Sequence, residues 1–348
     1  MPLGFGIIGC GSISHCHAGA ILQIPAARLV GVTDINETTR LGFAEKYQTQ
    51  AFGSVDELLA NPSVDVVCIC TPSGLHASLA IQAAERSKHL VIEKPMATSL
   101  QDARQIIAAC DRNQVKVQVI FQLRFSEAVK AVKSALDSNW LGRLVLGGIS
   151  MKFHRSQEYY QTSSWRGTWE FDGGGALMNQ GIHSIDLLLY LMGPVRSVSA
   201  YTGTLARKIE TEDTAVVSLQ FASGALGVIE ATTCAYPGLP RRLDICGDHG
   251  TISLESDRLA YWQVEGRDIP GKVPLGHSNN SSANSNIVAD IEGHRQQISD
   301  LIEAITNNRD PAVNQDEGIK SIELISAIYE SARTGLRVIV GDRQGEIQ

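Results

Sequence analysis

The sequence predicts an α/β protein of two domains, in which a parallel sheet covered by helices precedes a larger, mostly antiparallel open sheet. The chain has 348 residues, more than one hydrophobic core usually holds. Continuous apolar runs alternate with amphipathic stretches up to about residue 120, which is typical of a parallel sheet buried on both faces. After about residue 140, short strand patterns follow one another with few helices between them, which is typical of antiparallel sheets.

The first domain is expected to span residues 1–122. Its strands are predicted where apolar runs end at a glycine or a polar residue, and these runs cover residues 3–8, 27–33, 64–71, 90–93 and 115–121. Amphipathic stretches between them predict helices, among them residues 55–60 and 79–87. Because the carboxyl ends of parallel strands face the ligand crevice of such a sheet, the residues just after these strands are the candidates for a binding site.

The second domain is expected to span residues 123–348. A helix is predicted near residues 126–138, and strand patterns follow at residues 144–153, 195–205, 214–221, 225–233, 242–246, 251–255 and 259–264. Two helical patterns close the chain, near residues 294–306 and 316–334. Before them, residues 276–286 are polar and of low complexity, which predicts a mobile surface loop.

Composition and charge exclude several classes of protein. Hydrophobic residues make up 43% of the chain and charged residues 19%, which is ordinary for a globular protein. The net charge of −7 argues against nucleic acid as the main partner. No apolar run approaches the roughly 20 residues that cross a bilayer. No basic region precedes the first apolar residues, so a signal peptide is not expected either.

The cysteines are typical of a reducing compartment. There are 7 of them, an odd number, they are scattered, and none forms a Cys-x-x-Cys pair. This pattern favours reduced thiols over a disulfide framework, and it predicts no metal site. We therefore expect a cytoplasmic protein.

A glycine motif lies between the first predicted strand and a helix, and it reads Gly9-Cys10-Gly11-Ser12-Ile13. The first glycine permits a tight turn, and the second lets the backbone approach a pyrophosphate at the helix N-terminus. The motif therefore predicts a Rossmann domain that binds a dinucleotide through the two glycines and through Ser12 and Ile13. A plain strand–turn–helix is the alternative.

Polar residues at the ends of the second and third strands extend the predicted cofactor site. Asp34 stands where an acidic residue hydrogen-bonds a ribose 2′-hydroxyl, and its carboxylate would repel the 2′-phosphate of NADP, so NAD is expected. Alternatively, Asp34 caps the following helix. The third strand leads to Thr71, Pro72 and His76, which are expected to line the cofactor. His76 could equally be a residue that packs at the start of a helix.

The fourth predicted strand runs directly into Glu93-Lys94-Pro95. Lysine and glutamate are rarely buried unless they are paired, and proline restricts the residue before it to extended conformations. Lys94 is therefore held at a strand end, where a charge is better suited to chemistry than to solubility. The alternative is a structural lysine that pairs with Glu93 and ties two loops together.

Candidates for substrate contacts lie in two places. Residues 159–169 combine aromatic and hydroxyl side chains, which suit a sugar because its rings stack on aromatic faces and its hydroxyls need partners. Within this stretch Trp165 could stack, and Arg166 could hold a carboxylate or phosphate through two hydrogen bonds. Gln122 and Arg124, just past the fifth strand, are also placed for substrate contact. The alternatives are a loop packed by its own aromatic residues and an Arg124 that pairs across the domain boundary.

Three motifs together resemble those of one family; they are Gly9-Cys10-Gly11, Glu93-Lys94-Pro95 and the segment GGGALMNQGIHSID at residues 173–186. The sequence resembles the glucose–fructose oxidoreductase/inositol dehydrogenase (Gfo/Idh/MocA) family nearly from end to end, including a closing helix around residues 327–332. The resemblance implies nicotinamide-dependent oxidation or reduction of sugars, sugar acids and cyclitols. It also implies that the open sheet of the second domain forms subunit contacts.

The resemblance further implies roles for residues near the reaction. The family's lysine at the position of Lys94 reaches the substrate beside the nicotinamide, its bond to proline is often cis, and Glu93 and Lys94 would adjoin the cofactor. The family usually has an aspartate four residues before the histidine that matches His183, but this chain has Asn179. On a shared helix face, Asn179 would orient His183 without neutralising it, and Asp186 could supply the charge. The alternatives are a buried core histidine and a structural aspartate.

The motifs and the resemblance together predict an NAD-dependent dehydrogenase. It would transfer a hydride to or from a hydroxyl-bearing carbon of a sugar, sugar acid, nucleotide-sugar or cyclitol, as a homo-oligomer (dimer or tetramer). Lys94 and His183 would handle the hydroxyl proton, with Asn179 orienting. One alternative enzyme retains NAD and oxidises its sugar transiently, for glycoside cleavage or epimerisation. An alternative of another class is a non-catalytic nucleotide-sensing regulator, against which the Lys94/His183 pair argues.

Overall fold

A computed structural model describes residues 2–256, 258–271, 273–276 and 291–341 of the chain. The first of its two sheets has six parallel strands. The strands are β1 (Leu3–Ile8), β2 (Ala27–Thr33), β3 (Gln50–Ala51), β4 (Val66–Ile69), β5 (His89–Ile92) and β6 (Val117–Val119). They are arranged in the order β3-β2-β1-β4-β5-β6. The chain order reverses between β1 and β4, which is where sheets of this kind bind ligands.

Five helices connect these strands; they are α1 (Ser14–Leu22), α2 (Glu37–Tyr47), α3 (Val55–Ala60), α4 (His76–Glu85) and α5 (Leu100–Asn113). Three of them begin at a side chain that accepts a backbone N–H: Asn36 caps α2, Ser54 caps α3 and Ser99 caps α5. Every residue of β4 is buried, as expected of a strand covered on both faces.

A helix from the end of the chain, α10 (Ile291–Thr306), folds with this first sheet. Its Ile298 and Leu301 lie in the same buried cluster as Phe5 and Ile21. Among the described residues, the first unit therefore comprises 2–122 and 291–319, and the remainder forms the second unit. This corrects the expected continuous second domain of residues 123–348. The physical reason is that the apolar face of α10 is buried in the core of the first unit.

The second unit is built on an eight-stranded sheet. Its strands are β7 (Leu144–Lys152), β8 (Val195–Gly203), β9 (Thr214–Phe221), β10 (Leu226–Thr232), β11 (Arg242–Gly247), β12 (Gly250–Glu255), β13 (Arg258–Val264) and β14 (Val338–Ile339). They are arranged in the order β13-β12-β11-β7-β10-β9-β8-β14. Strands β7 and β10 are parallel, and every other described pair in this sheet is antiparallel.

Helices pack on one face of the second sheet. The remaining helices are α6 (Glu127–Asp137), α7 (Gln157–Gln161), α8 (Trp169–Asp172), α9 (Ile182–Met192) and α11 (Gln315–Thr334). Met192 of α9 lies directly against Gly147 of β7. Along β9, Ala215 and Val217 are buried whereas Val216 is 52% exposed. The sheet therefore has one buried face and one open face.

The predicted fold class is confirmed: a Rossmann-like parallel sheet is accompanied by a mostly antiparallel sheet. The predicted mobile loop at residues 276–286 lies, except for Gly276, outside the described residues. Among the helices that the structure describes, none combines the length and the apolar character needed to span a membrane. All seven cysteines fall within the described ranges, and none of them is in a disulfide.

Candidate active site

Most of the predicted cofactor residues lie at the carboxyl ends of the parallel strands of the first sheet. Gly9, Asp34, Thr71, Glu93 and Gln122 come after β1, β2, β4, β5 and β6. Backbone hydrogen bonds extend up to this edge, since Gly9 N donates to a carbonyl of β2 and Glu93 N to a carbonyl of β4. The side-chain oxygen of Gln122 is buried there and has no hydrogen-bond partner among the described residues.

Glycine is found at the two motif positions for different reasons. Gly9 has a φ of 93°, and a Cβ there would come within 2.8 Å of the Cys70 carbonyl oxygen, so the turn itself needs glycine. At Gly11 no described atom lies within 4 Å of the place a Cβ would take. The fold therefore does not require glycine at this position, and the close approach of a pyrophosphate to bare backbone stays the predicted reason for it.

Helix α1 begins without a side-chain cap. Ile13 occupies its N-cap position, and no side-chain hydrogen bond is formed at this cap. The Ser14 hydroxyl turns back to the Gly11 carbonyl, and Ser12 is exposed. Uncapped N–H groups and the helix dipole favour an anion at this end. The contacts of Ser12 and Ile13 with a pyrophosphate stay a prediction.

The Asp34 carboxylate binds backbone at the glycine turn. Its Oδ2 accepts a hydrogen bond from Cys10 N at 2.8 Å, and its Oδ1 accepts one from Asn36 N at 2.8 Å. Asn36, whose side chain accepts from Thr39 N, is the cap of α2, so the capping alternative for Asp34 does not hold. Arg40 was not predicted; it donates to the Asp34 carbonyl at 2.9 Å and so adds a guanidinium beside the carboxylate.

His76 connects the end of β4 to the lysine turn. It is buried, its Nε2 lies 2.9 Å from the Thr71 carbonyl, and its Nδ1 lies 2.8 Å from the Pro95 carbonyl. Burial lowers the pKa of His76, and a neutral ring donates to one of these carbonyls at a time. His76 thus fits the alternative of a residue packed at a helix start. The Thr71 hydroxyl, by contrast, is buried without a partner among the described residues, which suits a ligand contact next to Pro72.

Glu93 and Lys94 follow β5 with different surroundings. Glu93 is buried, and its Oε1 accepts hydrogen bonds from His17 Nε2 at 2.8 Å and from His294 Nε2 at 3.3 Å. Its Oε2 accepts the backbone N–H of Lys94 at 3.2 Å. Lys94 is half-buried, and the Lys94–Pro95 peptide is cis, as the resemblance implied. Neither histidine was predicted to lie here.

In the second unit, Glu212 and Tyr329 hold the glycine-rich segment. The Glu212 carboxylate accepts hydrogen bonds from Gly175 N at 2.9 Å, from Leu177 N at 2.8 Å and from the Tyr329 hydroxyl at 3.0 Å. A Cβ on Gly174 would collide with that hydroxyl. Burial raises the pKa of Glu212. Neither residue was predicted, because a single glutamate or tyrosine far along the chain carries no local signal.

Asn179 and His183 do not share a helix. Helix α9 begins at Ile182, and Asn179 lies in the turn before it, so the prediction of a common helix face is wrong. The Asn179 amide donates to Asp172, and its oxygen accepts from Gln180 at 2.6 Å. A carboxylate is therefore present one hydrogen bond away from the position where the resemblance implied it. His183 is 4% exposed in the first turn of α9.

Arg124 and Asp186 pair with each other. Arg124 Nε donates to Asp186 Oδ2 at 2.8 Å, and Nη2 donates to Oδ1 at 2.6 Å. The two side chains are 5% and 2% exposed. Two parallel N–H···O hydrogen bonds make this a bidentate contact, which is the stronger type of arginine–carboxylate pair. Arg124 thus fits the alternative of a pairing residue, although its partner belongs to the same unit and not to the other domain. The pair also uses N–H donors of Arg124 that a substrate contact would need.

Arg166 lines a cleft of about 370 Å³ in the second unit, together with Lys208 and Glu210. Its guanidinium lies 4.4 Å from the Tyr159 ring centroid and 5.3 Å from that of Trp165. Its Nη1 donates to the Tyr159 carbonyl, while its Nε is buried without a partner among the described residues. Aromatic rings therefore hold a cation that still has a donor to offer.

Both halves of the chain match one family. Residues 3–121 match an oxidoreductase family with an NAD-binding Rossmann fold, and residues 129–253 match the GFO/IDH/MocA C-terminal domain. The chain belongs to the Gfo/Idh/MocA family. It is an NAD-dependent dehydrogenase that acts on CH–OH groups. We expect the glycine turn, the uncapped end of α1 and Asp34 to contact NAD.

Relatives of this Gfo/Idh/MocA protein are known from sequence and from structure. The myo-inositol 2-dehydrogenase of Thermotoga maritima is 30% identical over 73% of this chain and 75% of its own. The WlbA dehydrogenase from Bordetella pertussis, in complex with NADH and UDP-GlcNAcA, is 36% identical, with a TM-score of 0.89 over 97% of this chain and 98% of its own. The WlbA dehydrogenase from Chromobacterium violaceum, in the same complex, is 34% identical, with a TM-score of 0.86 over 98% and 96%.

Proposed function

We propose that the protein transfers a hydride between NAD and a hydroxyl-bearing carbon of a nucleotide-linked sugar acid. The observation that carries this is the likeness, at 36% and 34% identity over 97% and 98% of the chain, to two dehydrogenases solved with NADH and UDP-GlcNAcA. Nucleotide-sugars and sugar acids were among the substrate classes predicted from the sequence. The myo-inositol 2-dehydrogenase relative, 30% identical over 73% of the chain, makes a cyclitol the second candidate.

The cleft around Arg166 supports an anionic substrate. Arg166 and Lys208 contribute two cations to it, against the single carboxylate of Glu210. A uronic carboxylate or a diphosphate accepts paired hydrogen bonds from a guanidinium, and the buried Nε of Arg166 is one such donor. A neutral cyclitol has no need of this charge.

We assign the substrate's hydroxyl proton to Lys94 first and to His183 second. NAD, when bound, supplies the hydride acceptor, and the hydroxyl whose carbon loses a hydride must also lose its proton. Lys94 is half-buried at the edge of the sheet that carries the glycine turn, with its backbone held by Glu93. His183 is nearly fully buried, and Asn179, bound to Asp172, would help to orient it or the substrate.

Three further features belong to this proposal. NAD exchanges at every turnover, in contrast to the alternative enzyme that retains it, so the protein should lose its cofactor during dialysis. The open face of the second sheet forms the contact of a homo-oligomer. The protein works in the cytoplasm, where its scattered thiols remain reduced.

The test is a substrate comparison with the purified protein and NAD, in which the absorbance of reduced cofactor is followed. A UDP-linked hexuronic acid, UDP-glucose, free glucuronic acid and myo-inositol are the four compounds. We expect the UDP-linked acid to give the highest kcat/KM. A clear preference for myo-inositol would replace the proposal with the cyclitol candidate, and no turnover of either class would reject both.

Arg166→Lys tests the anion contact. The change keeps the charge and removes the planar fork, so KM for the UDP-linked acid should rise by about tenfold, which corresponds to losing one charge-assisted hydrogen bond of about 1.5 kcal/mol. KM for NAD, measured on the same variant, should not change. An unaltered KM for the UDP-linked acid would mean that Arg166 does not touch the substrate's anion.

A further inference from the structure

Glu93 has a buried carboxylate that accepts hydrogen bonds from two sets of donors. Its residue is 6% exposed, and its Oε1 faces the Nε2 atoms of His17 at 2.8 Å and of His294 at 3.3 Å. Its Oε2 faces the backbone N–H of Lys94 at 3.2 Å. One oxygen is thus held by two imidazole rings, while the other holds the backbone of the proposed catalytic lysine.

The two histidines come from helices that are far apart in the sequence. His17 lies on α1, directly after the glycine turn, and His294 lies on α10, 201 residues away from Glu93. Both are 0% exposed, and their rings lie 5.0 Å apart at an angle of 75°. No part of the glycine motif or of the Glu93-Lys94-Pro95 motif predicts that α10 reaches this point.

The protonation of the cluster follows from burial. Burial lowers the pKa of His17 despite its bond to Glu93, so its ring is neutral and its Nε2 carries the proton that it donates. Burial also opposes the ionisation of Glu93, but the hydrogen bonds from His17 and His294 outweigh it and hold the pKa of Glu93 well below its usual range. The carboxylate is therefore charged and acts as an acceptor.

Hydrogen bonding describes this cluster better than metal binding. The three ligand-type atoms lie within 4.8 Å of one another, as they would around a metal ion. However, ligands on a tetrahedral metal with bonds of about 2.0–2.2 Å lie about 3.3–3.6 Å apart, whereas His17 Nε2 and Glu93 Oε1 are 2.8 Å apart. A metal-bound histidine also donates its second N–H, and His17 Nδ1 has no hydrogen-bond partner in the described parts of the chain.

Both sides of Lys94 are restrained by this arrangement. Before it, Glu93 is tied to β4 by its backbone N–H and to the two histidines by its carboxylate. After it, the Pro95 carbonyl lies 2.8 Å from His76 Nδ1. The direction in which the lysine side chain leaves the backbone therefore depends on where the Glu93 carboxylate is held.

We propose that His17 and His294 are positioning residues for Lys94, acting through Glu93. By donating to Oε1 they fix the carboxylate, and the carboxylate's Oε2 fixes the Lys94 N–H and with it the direction of the side chain. The inference rests on the proposed role of Lys94 in proton transfer. It assigns a role in the reaction to α10, the helix that the end of the chain contributes to the first unit.

Two substitutions at His294 distinguish the loss of its hydrogen-bond donor from a change in side-chain volume. His294→Gln keeps an N–H donor at a similar reach, whereas His294→Phe keeps a ring and removes the donor. We expect kcat of the Phe variant to fall by about 10- to 100-fold, since a misplaced catalytic group has effects of this size. KM for NAD should stay within about twofold, and kcat of the Gln variant should recover to within a few-fold of the unmodified protein.

Gln297 provides the matched control. It lies one turn further along α10, is 0% exposed, and donates to the Val119 carbonyl at 3.1 Å rather than to Glu93. Gln297→Leu should lower the Tm, as the loss of a buried hydrogen bond does, without lowering kcat. If His294→Phe does not fold, the same comparison is made at His17, with His17→Gln against His17→Leu.

The outcomes separate this inference from the proposed function. The positioning role would be overturned by a normal kcat in the Phe variant, by equal losses in the Gln and Phe variants, or by an equal loss in Gln297→Leu. Recovery of dialysed protein by added Zn²⁺ would overturn it in favour of a metal centre. Normal turnover of Lys94→Ala, measured in parallel, would instead remove the proposed role of the lysine itself.

Discussion

The backbone of Lys94 is restrained just after β5. Its N–H is bound by Glu93 at 3.2 Å, and the proline that follows has no N–H of its own. His183, by contrast, is buried at the start of α9, and the residue expected to orient it, Asn179, has its amide on Asp172. These settings favour Lys94 as the principal group in proton transfer.

Lys94→Ala should therefore be the most damaging single change. We expect kcat to fall by roughly 10²–10⁴-fold, the range for losing a general acid–base group, and His183→Ala to cause a smaller loss. Measuring kcat/KM against pH for both variants checks this. Lys116→Ala is the control. Lys116 lies at the amino end of β6, away from the carboxyl ends of the strands, and it pairs with Asp310. A far larger loss in His183→Ala would make the histidine the principal base.

We expect Asp34 and Arg40 together to determine the choice between NAD and NADP. A 2′-phosphate at the end of β2 would meet the Asp34 carboxylate, while Arg40, held at the Asp34 carbonyl, is a cation that a phosphate could use. Asp34→Ser should narrow the preference for NAD over NADP in kcat/KM by about tenfold or more, since the like-charge contact it removes is worth roughly 1–4 kcal/mol. Asp34→Ser/Arg40→Ala should restore part of the preference. Equal use of both cofactors by the unmodified protein would remove this role of Asp34.

Among the secondary-structure elements, we expect β1, the glycine turn and α1 to act together as one nucleotide-binding segment. The backbone conformation requires glycine at position 9, whereas at position 11 we expect only an approaching pyrophosphate to require it. In the second unit the glycines are required by packing, because the Tyr329 hydroxyl and the Glu212 carbonyl occupy the space that Cβ atoms at Gly174 and Gly175 would take. The same residue type thus has a ligand-related role in one element and a packing role in another.

A pair of alanine substitutions distinguishes these roles in the first segment. Gly11→Ala should leave the Tm unchanged and raise KM for NAD by about tenfold, because the methyl lies where the pyrophosphate approaches. Gly9→Ala should lower the stability by about 1–3 kcal/mol, through its positive φ and its contact with the Cys70 carbonyl. Thermal unfolding and NAD kinetics on both variants are the measurements. A normal KM for NAD in Gly11→Ala would contradict the assigned cofactor contact.

On the scale of the whole molecule, the open face of the second sheet carries exposed apolar side chains on several strands. The exposed side chains are Val145, Leu146, Tyr201, Val216, Leu226, Val228 and Tyr261. They come from five of the eight strands, so the apolar character extends across the sheet. A face of this kind fits the proposed contact between copies of the chain.

Val228→Lys should weaken that association. Val228 lies on β10 and is 38% exposed, so a lysine is tolerated in the isolated chain but would be desolvated in a contact. We expect the dissociation constant of the oligomer, measured by light scattering over a range of concentrations, to rise at least about tenfold. Leu41→Lys, an exposed position on α2 in the first unit, should leave it unchanged. A monomer at all concentrations in the unmodified protein would contradict the proposed contact.

Local patterns in the sequence determined much of this protein. Most strands of both sheets, the helix at residues 55–60, the glycine turn and the position of Asp34 were predictable, because each depends on residues that are neighbours in the chain. Short elements such as β3 and β14 were not, since two residues carry no periodic pattern. The start of α9 at Ile182 was also missed, because the turn before it carries the same spacing as a helix.

Tertiary structure alone decided which distant residues meet. Burial of Ile298 and Leu301 in the same cluster as Phe5 assigns α10 to the first unit, and the same packing places His294 beside Glu93, 201 residues away. Arg124, expected to contact substrate, pairs with a carboxylate 62 residues away. A buried charge takes the partner that the folded core places within hydrogen-bond reach, and that choice depends on how apolar faces pack rather than on any motif near the charge.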